Sequence, residues 1–243
     1  MILGVIPARF ASTRFPGKPL ALVGGVPMVV RVLRRAEESG VFGRVVVATD
    51  DERIAAEVDR AGGAVAMTSP DCPNGTLRCR EAMQQHEAEG REALEAVVNV
   101  QGDEPFVHPD ALRTLAELIR RPGAAVATLA LAVEDEEEAR GNRNRVKVVR
   151  DLHGNALYFS RSPIPAGAGP WLKHIGLYAF TRGALEALAH LHPTPLEQRE
   201  GLEQLRWLEH GWRIAVGITP HEAHGIDTPE DLDHLHRELG HLL

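Results

Sequence analysis

Cysteine is nearly absent from this chain. There are two in 243 residues, Cys72 and Cys79, and no Cys or His pair stands beside them at structural zinc spacing. That argues against a disulfide framework, and a reducing cytoplasm is the expected compartment. A basic excess is absent too. The formal net charge is −7, so the basic footprint of a nucleic-acid binder is missing. No apolar run approaches the ~18 residues of a membrane span. The early Arg9 in a strand-like N-terminal run is not the pattern of a secretory leader. There are no internal repeats, no low-complexity tracts and no Pro/Ser-rich linker.

What is present is ordinary in bulk: 44% hydrophobic and 25% charged residues, as in soluble globular proteins. The length suits one large α/β domain or two small ones, with ample core. The stretch that organises the chain is Pro7-Ala8-Arg9-Phe10-Ala11-Ser12-Thr13-Arg14-Phe15-Pro16-Gly17-Lys18-Pro19. It follows a buried strand, Ile2 to Ile6, and sets three cations among hydroxyls and small residues. Open α/β sheets bind ligands at the carboxyl edge of their strands. Arginine offers phosphate a planar fork and lysine a mobile charge. The bland reading is a solvated loop. It is not a P-loop, because the glycine-rich run is missing and Pro19 follows Lys18.

Along the chain, apolar spacing predicts a helix from Val26 through Glu38, stopped by Gly40. Arg44 to Thr49 reads as a second strand, followed by a helix Glu52 to Ala61 with Asp50 as N-cap. Ala64 to Met67 is a third strand, and Thr76 caps a helix to about Glu89. Ala96 to Val100 is a fourth strand, and Pro109 opens a helix to Arg121. Strand and helix alternating in this way mean a parallel sheet. The second half is richer in strands. Ala125 to Val133 is one, and Val146 to Val149 with Ala156 to Ser160 form a hairpin. Glu134 to Ala139 is an acidic patch, read as a solvated helix face rather than a metal site. His174 to Phe180 is a strand, Thr181 caps a helix to His190, and Pro195 opens another with Leu196, Leu202, Leu205 and Leu208 on its stripe and Gly211 as its stop. Arg213 to Ile218 is the last strand. Thr228 and Pro229 start the final helix. The expectation is one domain, 1–243, with a parallel-sheet half 1–124 and a β-rich half 125–243.

The sheet edge would gather Arg9, Arg14 and Lys18, then Asn74, Thr76 and Arg78, then Gln101 and Asp103. Asp227 lies far along the chain, just before a helix. Cations plus one or two aspartates suit a magnesium–triphosphate, because Mg²⁺ takes few carboxylates and completes its shell with phosphates and water. Singly, Asp103 reads equally as a turn residue and Asp227 as a helix-entry residue.

In order along nearly the whole chain come IPARFASTRFPGKPL, VVVATDDERI, AMTSPDCPNGT, VVNVQGDEP, ALYFSRSPIP, HIGLYAF, PLEQREGLEQLRWLEHG and GIDTPEDL. With these motifs the sequence resembles the 3-deoxy-manno-octulosonate (Kdo) cytidylyltransferases, the CMP-Kdo synthetase family. The resemblance implies a nucleotide-diphospho-sugar transferase fold: Rossmann-like, with a mixed, mainly parallel sheet flanked by helices and a smaller β-rich lobe. It implies a cytoplasmic, Mg²⁺-dependent homodimer that joins CTP to Kdo for lipopolysaccharide biosynthesis, releasing pyrophosphate. It implies nucleotide binding by Pro7, Ala8, Arg9, Ser12, Thr13, Lys18, Asn74, Gly75, Thr76, Arg78 and Asp103, and Mg²⁺ binding by Asp103 and Asp227. Arg9, Lys18, Asp103 and Asp227 would be the catalytic set. Gln101, Arg161, His174, Tyr178, Glu203 and Gln204 would surround the sugar acid, with Arg161 clamping its carboxylate. For His174 and Tyr178 the competing reading is strand packing. For Glu203 and Gln204 it is a solvated helix face. Activation of a different sugar acid, or nucleotide binding without turnover, are the alternative functions.

Two stretches depart from the family pattern. Its base-side loop usually reads Ser-Gly-Thr-Asp-Arg, and here it is Asn74-Gly75-Thr76-Leu77-Arg78. Arginines stand in Asn142 to Lys147 where the family tends to have proline and valine. The apolar surface of the helix after Pro195 suggests that Trp207 or its neighbours pack at a two-fold interface, with burial inside the monomer as the competitor.

Overall fold

The short β-branched runs of the first half pair side by side. Strand β1 (Ile2–Ala8) lies between β4 (Arg44–Thr49) and β6 (Ala96–Asn99), and β5 (Ala64–Met67) extends the sheet from β4, all four parallel. The register sets Val5 opposite both Val46 and Asn99, so the carboxyl ends of β1, β4 and β6 reach one edge together. Helices α1 (Met28–Glu38), α2 (Glu52–Arg60) and α3 (Gly75–Ala88) pack on these strands. These are the parallel strands and covering helices expected from the pattern. This computed structural model describes residues 1–11, 14–134, 142, 145–167 and 169–238. The chain divides into two units, Met1–Arg113 with Ala223–Leu243, and Thr114–Glu222.

Three local expectations in the first unit are corrected. Helix α1 begins at Met28, because Val26–Pro27 (β3) pairs antiparallel with Leu22–Val23 (β2). Gly24 and Gly25, at φ 56° and 77°, make the two-residue turn between them, a conformation that favours glycine at both positions. The cap of α2 is Asp51, whose carboxylate accepts the Arg53 N–H at 2.9 Å, not Asp50. The cap of α3 is Asn74, whose Oδ1 accepts the Leu77 N–H at 2.9 Å, not Thr76. In both cases neighbouring residues are competent caps, and the one left in extended backbone just before the first helical turn takes the role.

The C-terminal helix α8 (Pro229–Glu238) starts as expected. Thr228 Oγ1 accepts the Asp231 N–H at 3.2 Å, and Asp231 Oδ2 accepts the Thr228 N–H at 2.8 Å, a reciprocal capping box. Ile226 and Leu235 are buried with Val23 and Met28, and Phe15, Phe106 and Leu232 pack against them. This apolar cluster fixes the C-terminal segment beside the loop after β1.

In the second unit, β7 (Val126–Val133) pairs parallel with β11 (Ile214–Ile218) and antiparallel with β10 (Trp171–Thr181). The expected hairpin is β8 (Lys147–Arg150) with β9 (Ala156–Ser160). Helix α4 (Pro109–Ile119) leads into this unit, and α5 (Arg182–Leu188) is capped by Thr181 as expected. The single helix expected after Pro195 is two, α6 (Pro195–Glu200) and α7 (Gln204–Glu209). Gly201 at φ 63° ends the first in a left-handed C-cap, the usual way glycine stops a helix. Trp207 is 1% exposed, edge-on to Tyr178 and Phe180. It is core of this unit, so the interface role expected for it fails. Of the acidic patch, only Glu134 falls within the described residues.

Candidate active site

Beyond the carboxyl ends of β1 and β6 lies a cleft of about 350 Å³. The end of β1 contributes Pro7, Ala8 and Arg9, and the loop after it contributes Arg14 and Lys18. Asn74, Gly75 and Arg78 enter from the start of α3, Gln101 and Asp103 from the segment after β6, and Asp227 from the approach to α8. Thr76 is buried in the first turn of α3 and is not among the described residues lining the cleft. Ser12 and Thr13 lie outside the described residues.

Lys18 is the centre of the site. Its ammonium donates to Asp103 Oδ2 at 2.8 Å, to the Ile226 carbonyl at 2.9 Å and to Asp227 Oδ1 at 3.3 Å. Arg14 adds a two-pronged contact to Asp227, at 3.0 and 3.1 Å. Asp103 and Asp227 thus converge, although 124 positions separate them. The backbone arranges this: the Ile226 N–H donates to the Asp103 carbonyl at 2.9 Å, while the Ile226 side chain is sealed in the apolar cluster. Gly102 permits a close approach on the other side, since a Cβ there would sit 2.5 Å from the Pro7 carbonyl oxygen. The two acids have no partner near them in sequence, and the structure supplies Lys18 and Arg14 as counter-ions. By sequence, Arg14 is one cation of the loop among three. Nothing local marks it, because its partner is 213 positions away.

Asn74 and Arg78 have structural duties as well. The Asn74 side-chain oxygen is occupied by the α3 cap, where the family pattern has serine. The Arg78 side chain is 3% exposed, donates to Thr68 Oγ1 and lies 3.6 Å from Asp50 Oδ1.

The remaining predicted residues belong to the second unit. Arg161 donates through Nε to the Glu200 carbonyl at 2.8 Å and through Nη2 to Gly201 at 3.4 Å, so its guanidinium caps the end of α6. The hydroxyl of Thr128 bonds the Leu177 carbonyl at 2.8 Å and lies 3.0 Å from His174 Nε2. A consistent assignment has the hydroxyl donating to the carbonyl and accepting from His174 Nε2–H. The His174 ring is packed against Phe159 and Tyr178, and burial pushes its pKa down to about 3. Burial, then the Glu203 carboxylate, raises Tyr178 well above the usual phenol range. Gln204 is 6% exposed, which is not the solvated helix face considered for it.

A cationic cleft at the strand ends of a parallel sheet, holding two convergent carboxylates, suits a polyphosphate ligand, as a nucleotidyltransferase requires. A family profile described as cytidylyltransferase matches residues 3–214, and the chain belongs to that family. A 3-deoxy-manno-octulosonate cytidylyltransferase of Rhodopseudomonas palustris (strain BisB5) is 50% identical over 99% of this chain and 98% of its own. A protein of the same name from Cytophaga hutchinsonii is 46% identical over 95% and 94%. A solved structure described as CMP:2-keto-3-deoxy-manno-octonic acid synthetase complexed with CTP is 38% identical. It superposes with a TM-score of 0.92 over 100% of this chain and 99% of its own. Within the family, the chain groups with the 3-deoxy-manno-octulosonate cytidylyltransferases.

Proposed function

We propose that the chain transfers the cytidylyl group of CTP to Kdo, giving CMP-Kdo and pyrophosphate. The cleft built on Lys18, Asp103 and Asp227 is the observation that carries this reading, in a chain so close to relatives of that name. The anomeric hydroxyl of Kdo forms a bond to the α-phosphorus, the bond from that phosphorus to the β-phosphate bridging oxygen breaks, and the hydroxyl proton leaves to water. Such a transfer needs positioning and charge neutralisation more than covalent help. Arg9, Arg14 and Lys18 hold triphosphate oxygens, with the backbone of Pro7 and Ala8 and the start of α3 around the nucleoside. For the sugar acid, the residue lining this cleft is Gln101; Arg161, His174, Tyr178, Glu203 and Gln204, which the family resemblance also assigns to it, belong to the second unit.

Mg²⁺ fits the donor set. Two carboxylates present hard oxygens to one point, and this ion uses one or two carboxylates plus substrate phosphates. Asp103 and Asp227 would hold it, and it would polarise the phosphoryl group and lower the pKa of the attacking hydroxyl. Assembly as a homodimer, a cytoplasmic setting and a place in lipopolysaccharide biosynthesis complete the reading. No described helix is long and apolar enough to cross a membrane.

The test is pyrophosphate release with CTP, Mg²⁺ and a panel of sugar acids. Kdo is expected to give the highest kcat/KM, and CTP to be preferred over UTP, ATP and GTP. Equal turnover of another sugar acid reassigns the substrate, and no release with any of them removes the enzyme reading.

A further inference from the structure

The loop Ser69–Pro73, between β5 and α3, is held by one carboxylate that does not line the cleft. Both oxygens of Glu81 accept the Ser69 N–H, at 2.9 and 3.0 Å, and Oε2 also accepts the thiol of Cys72 at 3.0 Å. The loop is braced from the other side as well, since the Thr68 N–H donates to the Thr49 carbonyl at 2.8 Å. Within it, the Cys72 N–H turns back to the Ser69 carbonyl at 3.3 Å. Cys72 and Pro73 are cleft-lining residues, next to Asn74 and Gly75. Of the cations lining the cleft, Arg78 of α3 is buried and engaged with Thr68 and Asp50, and Arg9, Arg14 and Lys18 come from the loop after β1. Phosphate belongs with them, which leaves the largely uncharged wall of Cys72, Pro73, Asn74 and Gly75 to the nucleoside.

We propose that Glu81 is a positioning residue for the nucleoside end of CTP: it fixes the loop 69–73 against α3 and so sets the wall that grips and discriminates the base. This rests on CTP being the nucleotide of the cleft. Glu81 occupies the second turn of α3, one turn beyond Arg78. The helix therefore carries both the buried guanidinium that reaches Thr68, just before the loop, and the carboxylate that reaches into it. The loop has two prolines without an N–H, and its Asp71 and Cys72 N–H groups both turn back onto Ser69, at 3.1 and 3.3 Å, so the placement of the loop against α3 rests on the bonds from Ser69 and Cys72 to Glu81. The thiol of Cys72 is kept protonated by the same surroundings. Burial first and the Glu81 carboxylate second push it up to about 11, so it remains a donor at neutral pH.

The test compares Glu81→Ala and Glu81→Gln in the full chain. The alanine removes every acceptor. The amide keeps one oxygen for the Ser69 N–H and loses the charge. Glu81→Ala is expected to raise KM for CTP about tenfold, the size of one lost charge-assisted hydrogen bond. Its kcat and its KM for the sugar acid should stay within about twofold, with CTP-over-UTP preference reduced. Glu81→Gln is expected to fall between alanine and the parent protein. Independently of turnover, Cys72 should react faster with a thiol reagent in Glu81→Ala, and Cys72→Ser should abolish that reaction, since Cys79 is fully buried. Unchanged KM for CTP, or a parallel loss in kcat and both KM values together with a lowered melting temperature, overturns the proposal. Equilibrium CTP binding separates the two readings. A parent protein that binds CTP without releasing pyrophosphate refutes the transfer reaction, and weakened CTP binding in Glu81→Ala still upholds the positioning role.

Discussion

Replacing Lys18 with methionine leaves Asp103 and Asp227 facing each other without the ammonium between them. The side chain keeps its length and apolar stem, so the perturbation is mostly electrostatic. Lys18 is 16% exposed, Asp103 30% and Asp227 48%, so the contact to Asp103 is the better shielded of the two. Hydrogen bonds to charged groups contribute about 1.5–3 kcal/mol each. The 3.3 Å contact to the half-exposed Asp227, which Arg14 already pairs, adds little, as exposed ion pairs do. Allowing for the bond to the Ile226 carbonyl, the loss comes to about 2–3 kcal/mol, which for a chain of this size lowers Tm by about 4–12 °C. Two carboxylates relieved of their lysine form a better cation site, so Mg²⁺ should raise the Tm of the variant more than that of the parent, as any ligand binding only the folded state does. The assay is thermal unfolding with and without millimolar MgCl₂, beside pyrophosphate release, which should fall severely. Equal melting temperatures without Mg²⁺, or equal Mg²⁺ shifts in the two proteins, would refute the view that Lys18 is the counter-ion of the pair.

Asp103→Asn and Asp227→Asn should each cut kcat severely with a milder loss of CTP binding. The double variant should be little worse than either, because residues acting as a unit are non-additive; strictly additive losses in steady-state kinetics would separate them. His174 gives a pH dependence of defined sign. Its folded pKa is depressed to about 3 from about 6.5 when unfolded. The unfolded chain therefore takes up a proton that the folded one refuses. The contribution is fully present above pH ~6.5 and is lost as pH falls toward ~3, at up to about 1.4 kcal/mol per pH unit. Denaturant unfolding between pH 7.5 and 4.5 should show this slope, and His174→Asn should lack it; parallel profiles would place the titration elsewhere.

The backbone of the first unit was legible because its signals are local. Runs such as Val45-Val46-Val47 and Ala96-Val97-Val98 are apolar on both faces, which only a covered parallel strand requires, and the punctuation between them fixed the alternation. What the sequence obscured were choices between near-equivalent neighbours. Asp50 and Asp51 are both good caps, and the one not used lies toward the buried Arg78. The leucine stripe after Pro195 outweighed Gly201, although a left-handed glycine was enough to split the helix. Trp207 illustrates the same limit from the packing side: a large apolar residue on a helix does not reveal whether its neighbour is its own core or another chain. The cleft residues could be gathered because they sit at strand ends. The pairing of Lys18 with Asp227 and Arg14 with Asp227 could not, since no periodicity spans more than 200 positions. Glu81 was invisible for a related reason, since its role is read from the backbone N–H that it accepts rather than from its own neighbours.

The geometry of Lys18 carries one more consequence. An ammonium has three donors, and here all three are in use, on Asp103, Asp227 and the Ile226 carbonyl. It can serve a phosphate oxygen only by releasing one of them; releasing Asp103 leaves that acid without its cation, whereas Asp227 keeps Arg14. A divalent ion between Asp103 and Asp227 would remove that penalty and free the lysine for the triphosphate. Metal and nucleotide binding should therefore be coupled through Lys18, and the coupling must be reciprocal. CTP titrated calorimetrically with and without Mg²⁺ should show a larger gain in affinity in the parent than in Lys18→Met, because the variant has no ammonium to displace. If Mg²⁺ acted only by associating with the triphosphate in solution, the gain would be the same in both. An equal gain would leave Lys18 as a counter-ion with no part in holding the nucleotide.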